Sequence, residues 1–101
     1  MKNHHYRITV EHLSTPDGQA VDVPGTLQFE CGAHDDILAL VQRIRQRGDF
    51  DADAAAAFLV GLKLLGEVML RNREHPLFDE FWSHFVQFMK RLKEHVVTAG
   101  P

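Results

Sequence analysis

The run Asp51-Ala52-Asp53-Ala54-Ala55-Ala56-Ala57-Phe58-Leu59-Val60-Gly61-Leu62-Lys63-Leu64-Leu65-Gly66-Glu67-Val68-Met69 decides how this chain is to be read. The four alanines favour helix, Asp51 fits an N-cap, and the pattern predicts one long helix ending near Arg73. At about 100° per residue, Lys63, Glu67, Arg71 and Glu74 fall in one narrow charged stripe. Phe58, Leu59, Val60, Leu62, Leu64, Leu65, Val68 and Met69 cover most of the remaining circumference. A surface helix needs only one apolar stripe, so this one belongs at the centre of the fold or at a subunit contact. Gly61 and Gly66 point the same way. Each costs about 1 kcal/mol relative to alanine inside a helix, a loss that close packing of a neighbouring element offsets.

Working outward, a shorter helix precedes this one. Asp35 is placed to cap it, Ile37, Leu38, Leu40, Val41 and Ile44 form its apolar stripe, and Gly48 stops it. Arg43, Arg45 and Arg47 gather at its negative end. Downstream, Glu74-His75-Pro76 breaks the chain, because proline disfavours helical geometry at His75 and suits the first turn of a new helix. That third helix carries an aromatic seam of Leu77, Phe78, Phe81, Trp82, Phe85, Phe88, Met89 and Leu92. Asp79 and Glu80 open it, and Lys90, Arg91 and Lys93 close it.

The N-terminal third follows a different period. Tyr6, Ile8 and Val10 alternate with His5, Arg7, Thr9 and Glu11, the pattern of a half-buried strand. Ser14-Thr15-Pro16-Asp17-Gly18 has turn chemistry, with proline presetting φ early and glycine supplying positive φ at the end. A returning strand places Leu27, Phe29 and Cys31 on one face and Gln28 and Glu30 on the other, with a bend or bulge at Pro24-Gly25. The expectation is an α+β chain: an antiparallel β-hairpin packed against three helices, in the order ββααα. It forms one domain over residues 1–101, with strands at about 5–13 and 19–32 and helices at about 35–47, 51–73 and 77–95.

Length and composition agree with this reading. The chain has 101 residues, 45% hydrophobic and 25% charged, close to the globular average. The net charge of −3, from 11 basic and 14 acidic residues, argues against nucleic acid as a partner. A single cysteine, the polar N-terminus and the lack of a long apolar run predict a cytoplasmic protein without a membrane span.

Four stretches resemble a bacterial family of small single-domain proteins catalogued as a domain of unknown function. They are Tyr6-Arg7-Ile8-Thr9-Val10-Glu11-His12-Leu13, His34-Asp35-Asp36-Ile37-Leu38, Arg47-Gly48-Asp49-Phe50-Asp51, and Gly61 through Asn72 to His75-Pro76-Leu77-Phe78. The resemblance spans nearly the whole chain except the tail and the turn around Pro16. It implies a bacterial, single-domain protein and adds no mechanism.

Candidate chemistry is sparse. Seven histidines invite a metal reading, with His34-Asp35-Asp36 joined by His4, His5 or His12. A structural metal site needs three or four convergent ligands, whereas capping acids at a helix start explain the same residues, so no metal or other cofactor is expected. Asp49, Asp51 and Asp53 open like a calcium loop, but Ala54 and Val60 stand where glycine and glutamate belong. Glu80 and His84 lie four apart on a polar helix face, where such pairs are usually solvated. Cys31 sits on the apolar strand face, where it acts as a small hydrophobe. Arg43 and Arg47 share a helix face, but Asp49, Asp51 and Asp53 follow at once, and a solvated helix end accounts for them. No phosphate-binding or nucleophile-elbow motif occurs.

The expected function is therefore a non-catalytic cytoplasmic interaction or regulatory module rather than an enzyme. Its partner is a second copy or another protein, and the contact is expected around Val60, Gly61, Leu64 and Val68 on the over-apolar helix. The alternative is a small-molecule or metal-binding protein with a pocket near His12, His34 and Asp35 and the aromatic seam. An enzyme would require His75, His84 or Cys31 in a cleft beside a second titratable group.

Overall fold

Alternating residues build the first two elements. A computed structural model of the chain describes residues 3–22 and 25–98, with side chains through 94. Strand β1 spans His4–Glu11 and strand β2 spans Thr26–Ala33, paired antiparallel. The register sets Tyr6 opposite Cys31, Ile8 opposite Phe29, and Val10 opposite Leu27. All six apolar side chains therefore share one face, as the alternation requires.

The connection between the strands closes in two stages. The Gly18 amide donates to the Thr15 carbonyl at 2.9 Å, with Gly18 at φ +88°, a conformation that favours glycine. A bridge joins Ser14 to Ala20, and the Val21 amide donates to the Leu13 carbonyl. The next bond runs from the His12 amide to the Gly25 carbonyl. Leu13 is thus bonded to Val21 and His12 to Gly25. Ala20 makes an isolated bridge, and β2 itself begins at Thr26, where the sequence suggested a strand from residue 19. Pro24, half of the expected bend, lies outside the described residues.

Turn chemistry also moves a titration. The Thr15 hydroxyl donates to the Asp17 carboxylate and, with a backbone bond near Gln19, holds its pKa below the ordinary 3.8. Because the folded value is depressed, the associated stability is present above the ordinary carboxylate pKa and is lost as pH falls through the folded one. Thr15→Val is expected to raise the Asp17 pKa toward 3.8, read from the side-chain carboxyl resonance across an acid titration. An unmoved Asp17 titration would mean the hydroxyl contributes nothing.

Residues from Met1 to His34 form one compact unit and those from Asp35 to Pro101 a second. In the second, α1 spans Ile37–Arg47, α2 spans Ala52–Arg71 and α3 spans Phe81–Thr98. The expected order of two strands and then three helices is the order found, an α+β arrangement.

The helix ends follow local chemistry. Asp36, not Asp35, caps α1: its carboxylate accepts from the Ala39 amide at 3.1 Å, the N-cap-to-N3 geometry. Gly48 ends α1 at φ +80°. Asp51 caps α2 as expected, accepting from the Ala54 amide at 2.7 Å. Arg45 and Arg47 are used at this corner, one donating to the Ala52 carbonyl at 3.1 Å and the other paired with Asp49. After Arg71, the Asn72 side chain donates back to the Val68 carbonyl, closing α2 two residues before the expected end. Pro76–Phe78 then forms a single 3₁₀ turn capped by His75, so α3 begins at Phe81 rather than residue 77. Helix α3 continues to Thr98, past the expected end near residue 95, and residues 99–101 lie outside the described part.

Ile44 of α1, Ala55, Leu59 and Met69 of α2, and Phe85 of α3 are buried, along with Ile37 and Val41 of α1. Burying a side chain of the Ile, Leu or Met size contributes about 1.5–3 kcal/mol. Close backbone approaches join α1 to α2 and to α3, whereas α2 and α3 meet chiefly through aromatic rings. The two helix glycines differ sharply. A Cβ on Gly66 would lie 3.3 Å from the Phe85 ring, while one on Gly61 would meet nothing within 4 Å. Among the described residues, the close packing expected at both occurs at Gly66 alone. Gly61→Ala is therefore expected to stabilise the isolated chain by about 0.5–1 kcal/mol, and Gly66→Ala to gain less or nothing. Urea denaturation checks this, and equal gains at the two positions would refute the packing at Gly66.

Candidate functional site

The apolar surplus of α2 meets the aromatic seam of α3 at a groove. Phe58, Gly61, Leu62 and Leu65 of α2 supply one wall, with spacings of three and four that align them on one helix face. Phe81, His84, Phe85 and Phe88 of α3 supply the other by the same spacing. The volume is about 580 Å³. Leu65 is 38% exposed and Phe81 and Phe88 are each 43% exposed. The rings are ordered against one another: Phe58 meets Phe88 edge-on with centroids 6.1 Å apart, and Phe81 tilts against Phe85 at 5.8 Å. His84 is the one ionisable residue lining the groove. Such a surface can bind apolar side chains and offers no pair of titratable groups for proton transfer.

Of the four expected contact residues, Gly61 lines the groove. Val60 and Leu64 are half-buried and Val68 is exposed; they occupy an adjoining face of α2, about 100° round the helix. Gly61 was legible as a helix glycine needing a reason. Phe58, Leu62 and Leu65 were legible as apolar, but a helix wheel does not show which apolar arc α1 covers.

The expected ligand-pocket residues do not converge. The His12 Nε2 donates to the Ser14 carbonyl at 2.9 Å, in the loop beyond the Glu11–Thr26 end of the ladder. His34 follows Ala33 at the opposite end, where Ala33 pairs with His4. At about 3.3 Å per residue the two histidines stand roughly 25–30 Å apart. Asp35 belongs to the helical unit and is paired with Lys63 at 2.7 Å. Among the described residues, no three of His, Cys, Asp and Glu group in a way that would hold a metal ion.

His75 Nδ1 accepts from the Leu77 amide at 3.1 Å as a cap. Glu80 and His84 are both exposed. Cys31 is half-buried on a strand face whose Leu27 and Phe29 are 58% and 39% exposed. Alternation shows which side chains share a face but says nothing of what covers it.

Comparison with known proteins was decided by the match of residues 4–94 to the domain of unknown function DUF3861, a family with solved structure. The chain belongs to the DUF3861 family. A crystal structure of a protein of unknown function from the bacterium Pectobacterium atrosepticum is similar at 40% identity, covering 92% of this chain and 99% of that one, with a TM-score of 0.79. Among curated proteins none matches. The resemblance suggested by the four sequence stretches is thus a family relationship, to a family of unknown function. No helix among the described residues is long and apolar enough to cross a membrane.

Proposed function

We propose that this DUF3861 protein is a non-catalytic, cytoplasmic interaction module that pairs with a second copy of itself through the α2–α3 groove. The observation that carries this reading is the groove: exposed aromatic and aliphatic side chains around a glycine floor, with one ionisable residue among eight. Contiguous exposed apolar surface on a soluble domain marks an interaction site. Depletion of charge at the centre of an interface, and a more apolar composition overall, are features of homodimer contacts. Closed two-fold dimers are also the commonest symmetric assembly. Gly61 fits the same account. No packing among the described residues offsets its cost inside α2, and an approaching helix of the partner would occupy the open space above it. The single Cys31 suits a reducing compartment.

Size-exclusion chromatography with light scattering is expected to give twice the 11.5 kDa of one chain at micromolar concentration. Leu65→Glu is expected to give a folded monomer, because a carboxylate buried in an apolar contact lacks a partner. A monomeric parent protein would overturn the reading. A dimer untouched by Leu65→Glu would place the contact elsewhere and remove the groove as its basis.

A further inference from the structure

A second cleft lies among all three helices and shares no residue with the groove. Leu40 and Ile44 of α1, Leu59 of α2, and Met89 and Leu92 of α3 form its apolar lining. Ile44 and Leu59 are buried at its floor, while Leu40, Met89 and Leu92 are half-buried. The volume is about 310 Å³, at the small end of the range of roughly 300–1,000 Å³ for small-molecule sites.

The remaining lining is charged and unbalanced. Arg43, Lys63 and Lys93 face one carboxylate, Asp35. The cleft therefore carries a net charge of about +2 by formal count, on a chain whose total is −3. Helical spacing builds each wall the same way. Arg43 sits three residues from Leu40, Lys63 four from Leu59, and Lys93 four from Met89, so each cation borders an apolar residue of its own helix.

The cations are not equivalent. Lys63 is half-buried and its ammonium is held by Asp35 at 2.7 Å. Arg43 and Lys93 are exposed, and among the described residues neither has an ion-pair or hydrogen-bond partner. An occupant thus meets an apolar floor below and two available cations at the rim.

We propose that this cleft binds a small anionic amphiphile, an acid with a short apolar chain or ring, whose carboxylate lies between Arg43 and Lys93. The apolar part rests on Leu59, Ile44 and Leu92. Arg43 offers a planar fork suited to a carboxylate, and Lys93 adds a mobile point charge. A cationic or purely neutral amphiphile gains the same apolar contact and forgoes the rim.

The test is an amide ¹H–¹⁵N titration of the full chain with octanoate, held below its micelle concentration, beside octyltrimethylammonium and octanol. Saturable octanoate binding is expected, with shifts at Leu40, Ile44, Leu59, Met89 and Leu92. Octyltrimethylammonium is expected to bind about tenfold more weakly, since each exposed ion pair is worth a few-fold in affinity. The paired substitution Arg43→Gln and Lys93→Gln, at exposed positions, is expected to weaken octanoate by about the same factor and leave octanol unchanged. Three results would each overturn the proposal: no saturable binding, equal affinity for the anion and the cation, or shifts confined to Phe58, Leu65 and Phe88. The last would place the probe in the groove and leave this cleft empty.

Discussion

The Phe85 ring stands over Gly66, and the helical unit depends on that contact. A Cβ at Gly66 would come within 3.3 Å of the ring, so glycine at this point lets an aromatic side chain reach the α2 backbone. Phe85 is itself buried and meets Phe81 and Trp82, with Arg73 held 5.5 Å above the Trp82 ring. The seam of α3 is thereby attached to α2 through rings rather than by close backbone approach. One consequence is the groove: around Gly61, where Phe58, Phe81 and Phe88 line the walls, the apolar surface stays open.

The other side of the same arrangement is the cleft near α1. Because α1 approaches both α2 and α3 closely, its Ile44 is buried against them while Arg43, one residue earlier, reaches the surface. One helical unit thus presents two chemically different depressions. The groove is nearly uncharged, and the cleft is apolar below and cationic above. His84 is the ionisable side chain of the groove, whereas the cleft holds the Lys63–Asp35 ion pair beside Arg43 and Lys93.

Much of this is legible in the sequence. The order of elements, the caps at Asp51 and Gly48 and the turn at Pro16–Gly18 followed from short-range chemistry in which a residue acts on its immediate neighbours, and the family relationship from the resemblance of four stretches. The misplacements were equally local. Asp36 rather than Asp35 caps α1 because only one of two adjacent acids has its carboxylate at the Ala39 amide. The second strand begins at Thr26 rather than residue 19, with Ala20 in an isolated bridge to Ser14, because alternation does not show where pairing becomes a continuous ladder.

Periodicity by itself determined that Tyr6, Ile8, Val10, Leu27, Phe29 and Cys31 share a face, and that α2 is apolar over most of its surface. Those are properties of one chain segment and its geometry. Which apolar arcs are covered was decided only by the tertiary structure: Gly66 is closed by Phe85 and Gly61 is left open, though the sequence treats them alike. The reason is physical. Burial depends on the three-dimensional arrangement of side chains distant in sequence, and a helix wheel or a strand alternation carries no information about what stands opposite.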